Sequence, residues 1–191
     1  MRYNIDVAPG ELAGLVVQAA ANAGEQGYWT GREPITDDAV RHIMRFLGLL
    51  LAGDDDVNPR ELDVFSQAVR GASGGEASHD DLRASAMETV ELANDPDALH
   101  AFLGETPAYL HAIVAMDRER GTRNASQVVT ALGGLGLAVL TADGRAAEEE
   151  DSIFTTHLNH LRGELDAQGV AEDSPAPDEP PAPELTVSSG D

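Results

Sequence analysis

Cysteine and lysine are both absent from these 191 residues, and aromatic side chains make up only 4% of them. Each absence excludes something. Without thiols there can be no disulfide and no thiolate-ligated metal centre, which agrees with a reducing compartment. All 12 basic residues are arginines, set against 34 acidic ones, for a formal net charge of −22. Such a surface repels phosphate backbones, so nucleic acid is not an expected partner. So few aromatics leave little from which to build a stacking cleft for a sugar or a base. Long hydrophobic runs are missing too. "IMRFLGLLLAG" and "VVTALGGLGLAVLTA" fall short of the roughly 20 residues that cross a bilayer, and they read as buried helices. The opening "MRYNIDVAPGELAG" has none of the blocks of a signal peptide. The expectation is a soluble cytoplasmic chain with no direct membrane insertion.

What is present is helical periodicity. "ITDDAVRHIMRFLGLLLAG" places Val40, Ile43, Met44, Leu47, Leu50 and Leu51 at spacings of three and four. "NPRELDVFSQAVRG" puts Leu62, Phe65 and Val69 on one face, and "SHDDLRASAMETVELAN" continues the pattern with Leu82, Met87, Val90 and Leu92. "ELAGLVVQAAANAG" is alanine-rich and ends at glycine. "DPDALHAFLG" and "TPAYLHAIVAMDRERG" each place a proline at the first helical position behind an Asp or Thr cap. "NASQVVTALGGLGLAVLTA" and "EEEDSIFTTHLNHLRGEL" complete the set. No run alternates like a strand. Gly31 to Pro34 and Gly71 to Gly75 read as loops. The fold class is therefore all-α, a bundle of about seven or eight helices. From Asp166 the chain turns rich in Pro, Ala and acid and loses arginine, which reads as a disordered acidic tail. The expected organisation is an N-terminal helix and linker (1–34), a helical domain (35–165) and the tail (166–191).

The most informative feature is a repeat. "GDDDVNPRELDVF" from Gly53 and "ADGRAAEEEDSIF" from Ala142 align with a constant offset of 89. Asp54 then matches Asp143, Glu61 matches Glu150, and Val64–Phe65 match Ile153–Phe154. Each acidic turn follows an apolar helix and precedes an amphipathic one, so a helix–turn–helix unit occurs twice.

Two readings of these turns compete. In the first, Asn58 caps a helix, Pro59 is its first residue and Glu61 completes a capping box. Glu148, Glu149, Glu150 and Asp151 play the same part in the second turn, where acids at a helix N-terminus gain about 0.3–1 kcal/mol each from the macrodipole. This leaves Asp54, Asp55 and Asp56 unexplained, because they follow a helix C-terminus, where negative charge is disfavoured. In the second reading a hard divalent cation relieves them: Ca²⁺ first, Mg²⁺ second. Asp54 and Asp56 would coordinate, Asn58 contribute and Glu61 close the site, with Asp143 and Glu150 as a weaker counterpart. It is not an EF-hand, since that loop's sixth position would be Pro59 and its twelfth Phe65. The capping reading is preferred, and the cation reading is the one to test.

The second turn, Ala142, Asp143, Gly144 and then Glu150 at the start of the next helix, resembles the signature of the TerB-like family, the tellurite-resistance type of helical domain. The first turn resembles it with Asp55 in place of the usual Gly, and the second has Ala147 where a helix-capping Ser, Thr or Asn is common. The resemblance covers roughly Ile35 to Leu165. It implies an all-helical bundle with an internal pseudo-repeat, association with tellurite or chemical-stress operons, and divalent cations at the acidic turns. It further implies an interaction module beside chaperone or ATPase domains, without a defined catalytic reaction. The expected partner is a protein, either one with a basic surface or a membrane-associated stress complex. The alternative is an acidic interaction module with no metal role.

Other constellations carry less. His157, His160 and Glu164 share a helix face at i, i+3 and i+7, a transition-metal spacing with no fourth ligand, and His157 reads better as flanking the core. Asp117 is expected to pair with Arg118 or Arg120, or to face an acidic turn from a buried position. "GGLGLA" lacks the Lys-Ser/Thr ending of a phosphate loop, and its glycines are expected to let two helices approach closely. Ser66, Ser85 and Ser152 have no glycine elbow around them. Composition alone leaves a two-carboxylate hydrolase open, yet an enzyme is the least expected class.

Overall fold

The computed structural model describes residues 7–52, 58–75, 89, 91–142 and 148–170. Among them seven helices are found and no strand: α1 (Pro9–Glu25), α2 (Ile35–Ala52), α3 (Pro59–Ser73), α4 (Pro96–Leu103), α5 (Ala108–Arg120), α6 (Asn124–Leu140) and α7 (Glu148–Gln168). Residues 91–94 are helical as well. The all-α bundle expected from the periodicity is what the chain forms. The stretch 76–88, bearing Leu82 and Met87, the turn residues 53–57 and 143–147, and the tail from 171 lie outside the described residues.

α6 is the hub. Its "VVTALGGLGLAVL" is apolar on all sides, which is the pattern of a helix surrounded by others. It packs against α1, α2, α3, α5 and α7, and Val128, Leu132, Leu135 and Val139 are fully enclosed. Ile43, Leu47 and Leu50 of α2, Leu110 and Ile113 of α5, and Leu158, Leu161 and Leu165 of α7 complete the same core. α1 joins it through Leu12, Val16 and Ala20. A core so poor in rings is filled by aliphatic side chains and by backbones brought close together. A Cβ at Gly136 would lie 2.6 Å from the Phe154 ring and 3.2 Å from Phe46. This glycine of "GGLGLA" therefore admits two rings, in agreement with the close-approach reading. A Cβ at Gly71 would fall on the backbone of Gly10, so α1 and α3 touch main chain to main chain.

The repeat is visible in three dimensions. The starts of α2 and α6, Ile35 and Asn124, are 89 positions apart, and so are those of α3 and α7, Pro59 and Glu148. Val64, Phe65, Ile153 and Phe154 all lie partly buried against the core. Equivalent residues thus occupy equivalent environments.

Four local readings need correction. α1 runs past Gly24 to Glu25, and the chain reverses at Gly27, whose φ of 84° suits glycine. Gly71 to Ser73 belong to α3, which closes only at Gly74 with a φ of 65°. Leu62 does not face the core: it is 47% exposed, and the buried face of α3 is Glu61, Ala68, Val69 and Ala72. α7 continues through Asp166 to Gln168, and Val170 packs into the core, so the helical body extends past Leu165.

Candidate functional site

The sequence points first to the acidic turns. Asp54, Asp55, Asp56, Asp143, Gly144 and Ala147 lie outside the described residues. Asn58, Glu61 and Glu150 lie within them. Asn58 Oδ1 accepts the Arg60 amide at 3.0 Å, and Glu61 Oε2 accepts the Asn58 amide at 3.1 Å. That is the reciprocal capping box, behind Pro59 at the first turn. Glu61 is nonetheless 3% exposed and Glu150 1% exposed. Carboxylates so deeply enclosed need compensating partners, and both have them within the protein. Their shared burial one repeat apart is a property of the duplicated unit. The chemistry of this donor set, carboxylate and amide oxygens without sulfur, fits a hard cation. Among the described residues no three His, Asp or Glu side chains converge as a metal site would require. His157, His160 and Glu164 accordingly do not form one.

His157 and His160 instead point to a second locus that periodicity alone did not reveal. His157 turns inward from α7 and His42 inward from α2, and their Nε2 atoms are 2.9 Å apart. His157 Nδ1 is 3.2 Å from the carbonyl of Leu103 at the end of α4, and His42 Nδ1 is 3.0 Å from the Tyr109 hydroxyl on α5. A carbonyl only accepts, so His157 Nδ1 carries the hydrogen and its Nε2 is the acceptor. His42 Nε2–H must then donate to it. That leaves His42 Nδ1 as the acceptor of the Tyr109 hydroxyl. The chain Tyr109 O–H to His42 to His157 to Leu103 O is satisfied by two neutral rings and a single set of tautomers.

Phe46, Phe102 and Tyr109 enclose the pair. The Phe102 ring stacks on His157 at 5.2 Å, and Phe46 lies parallel to His42 at 6.4 Å. Burial in this apolar shell penalises the imidazolium. It pushes His42 well below the ordinary histidine range, with His157 and Arg45 acting in the same direction. Burial also lowers His157, to about 4, although its bond to the Leu103 carbonyl pulls upward; nearby His160 adds to the lowering. Tyr109 is pushed far above the ordinary phenol range by burial and by the charge of Asp38. The signal was present in the sequence. His42 shares the inward stripe of Ala39 and Phe46 on a helix otherwise read for its aliphatics.

Three carboxylates hold helix starts in the bundle. Asp38 Oδ2 accepts the Tyr109 amide at 3.0 Å and so caps α5 from across the bundle. The expected Thr106 cap is not formed: α5 begins at Ala108 with Pro107 extended before it, and the Thr106 hydroxyl lies 3.1 Å from His160 Nε2 instead. The Asp95 cap of α4 forms as expected, accepting the amides of Asp97 and Ala98 at 3.1 Å. Asp117 is not ion-paired with Arg118, whose Nη1 donates to Gln168. It is buried and accepts from the Thr122 hydroxyl at 2.6 Å, the Asn124 amide at 2.8 Å and the Ala125 backbone N–H at 2.7 Å, holding the start of α6.

A cavity of about 150 Å³ opens beside His42, lined by Asp38, Arg41, Arg45, Phe102 and Glu105 among others. Arg41 bridges to Glu33 at 2.7 Å. No helix among the described residues is long and apolar enough to cross a membrane. Comparison of the chain with family models, with curated proteins and with solved structures yields no match.

Proposed function

We propose that this chain is a non-catalytic helical scaffold of the TerB-like kind, working in the cytoplasm in a stress or tellurite-resistance setting. In this reading its two acidic turns take up a divalent cation, Ca²⁺ ahead of Mg²⁺. The supporting observation is the duplicated helix–turn–helix with Glu61 and Glu150 buried at equivalent helix starts. Asp54, Asp56, Asn58 and Glu61 would hold the ion in the first turn, Asp143 and Glu150 in the second. The bound ion would neutralise carboxylates gathered after the C-termini of α2 and α6, where the helix dipole disfavours them. Those turns join each apolar helix to its amphipathic partner, so ion binding would stiffen the unit that a protein partner reads.

A second reading is favoured by a specific observation. Asn58 Oδ1 and Glu61 Oε2 are already engaged in the helix cap, and on this reading the acidic surface would dock a basic protein partner directly. Calorimetric titration of the metal-free chain with Ca²⁺, and separately with Mg²⁺, decides between them. The cation reading expects saturable binding that Asp54→Ala/Asp143→Ala removes. Absence of binding in the wild type would overturn it and leave the docking reading.

A further inference from the structure

We propose that the His42–His157 pair is an acid-sensitive latch that holds α4 and the following loop against the bundle and releases them when the pair takes up a proton. This rests on the core geometry and is independent of the cation reading. α4 has eight residues, none of them buried. Among the described helices its main contact is a small one with α7. What anchors this segment among the described residues is the histidine locus: Leu103 O accepts from His157, the Phe102 ring stacks on His157, and Thr106 meets His160. The segment is therefore the sort of weakly held unit that opens before the rest of a fold.

The hydrogen-bond chain tolerates no extra proton. A proton on His42 Nδ1 displaces the Tyr109 hydroxyl hydrogen, which is left without its acceptor inside the core. A proton on His157 Nε2 confronts the Nε2–H of His42, unless the whole chain reverses and again strands that hydroxyl. Either way a charge sits among Phe46, Phe102 and Tyr109. The charged and titratable groups around the pair do not offset it: Arg45 from α2 opposes a cation on His42, and His160 from α7 opposes one on His157. Asp38 on α2 is bonded to the Tyr109 amide, Arg41 is held by Glu33, and Glu105 lies across the cavity in the segment to be released. That cavity reaches His42 and gives protons a route inward. Opening hydrates both rings, which then titrate as ordinary imidazoles. With His157 at about 4 in the closed state and near 6.5 in the open one, acidification from about pH 7 to about 4.5 raises the open population by about 50-fold through His157 alone.

The test uses the full chain labelled with ¹⁵N-histidine, followed by long-range ¹H–¹⁵N correlation spectra from neutral to acid pH. Amide exchange, corrected for intrinsic rates, is measured alongside. The latch expects His42 as the Nε2–H tautomer and His157 as the Nδ1–H tautomer at neutral pH. It also expects faster exchange in residues 96–107 on acidification, before the helices of the core. In His42→Leu/Tyr109→Phe/His157→Phe, which replaces the whole chain by apolar groups, protection of 96–107 no longer depends on pH over that range. Other tautomers, rings already protonated at neutral pH, or acid-induced exchange that begins elsewhere or everywhere at once would overturn the proposal. The wild-type spectra decide the matter even where the triple variant does not fold.

Discussion

A methyl group added at position 71 tests the closest contact in this fold. In most helices Gly→Ala stabilises by about 0.5–1 kcal/mol, because alanine loses less backbone entropy on folding. At Gly71 the new Cβ would coincide with the carbonyl and Cα of Gly10 in the first turn of α1. Those atoms are main chain and cannot swing aside, so α1 and α3 must separate along their shared face. Overpacking of this kind costs about 1–3 kcal/mol, which outweighs the helix-propensity gain. Gly71→Ala should therefore lower stability by about 1–2 kcal/mol, or Tm by about 2–8 °C in a chain of this size. Gly163 provides the opposite case. It lies inside α7 with nothing within 4 Å of an added Cβ, so Gly163→Ala should raise stability by about 0.5–1 kcal/mol. Thermal unfolding followed by circular dichroism, with urea titration for the free energies, reads both variants. If Gly71→Ala proved as stable as Gly163→Ala, the main-chain contact between α1 and α3 would be refuted, and the placement of α1 with it.

Two further outcomes are expected. Asp117→Ala removes the acceptor shared by Thr122, Asn124 and the Ala125 amide, and urea denaturation should show a loss of about 3 kcal/mol, because three donors at the start of α6 lose a charged partner. Stability should also fall with acidification in a defined window. The native state keeps His157 neutral down to about 4, while the unfolded chain binds a proton near 6.5. The unfolded state therefore holds more protons between these values. The histidine contribution is intact above about pH 6.5 and declines as the pH falls toward about 4, by about 3 kcal/mol for His157, with His42 adding in the same direction. Urea titrations at half-unit pH steps, compared between the wild type and the apolar triple variant, isolate this slope.

Much of the fold was legible because it is written locally. Spacings of three and four located the helices, Asp95–Pro96 marked the start of α4, and Asn58–Pro59–Glu61 spelled a capping box that forms as read. The constant offset between the two acidic turns anticipated helix starts that keep the same spacing. Leu62 and Thr106 were misread for one reason. An apolar stripe or a capping residue names what a position prefers, whereas its neighbour in space decides what it receives. Glu61 took the inward position beside Leu62, and Asp38 took the capping role from Thr106.

The sequence by itself determined the class of the fold, the duplicated unit and the strongly acidic surface, since periodicity, caps and charge act over a few residues or sum over the whole chain. Only the tertiary structure decided which polar groups meet. His42 and His157 are 115 residues apart, and Asp38 and the Tyr109 amide 71. No local rule pairs such groups; they meet because the aliphatic faces of α2, α5 and α7 pack on one core. Once enclosed there, each donor and acceptor must find a partner inside the protein, because water is no longer available to supply one.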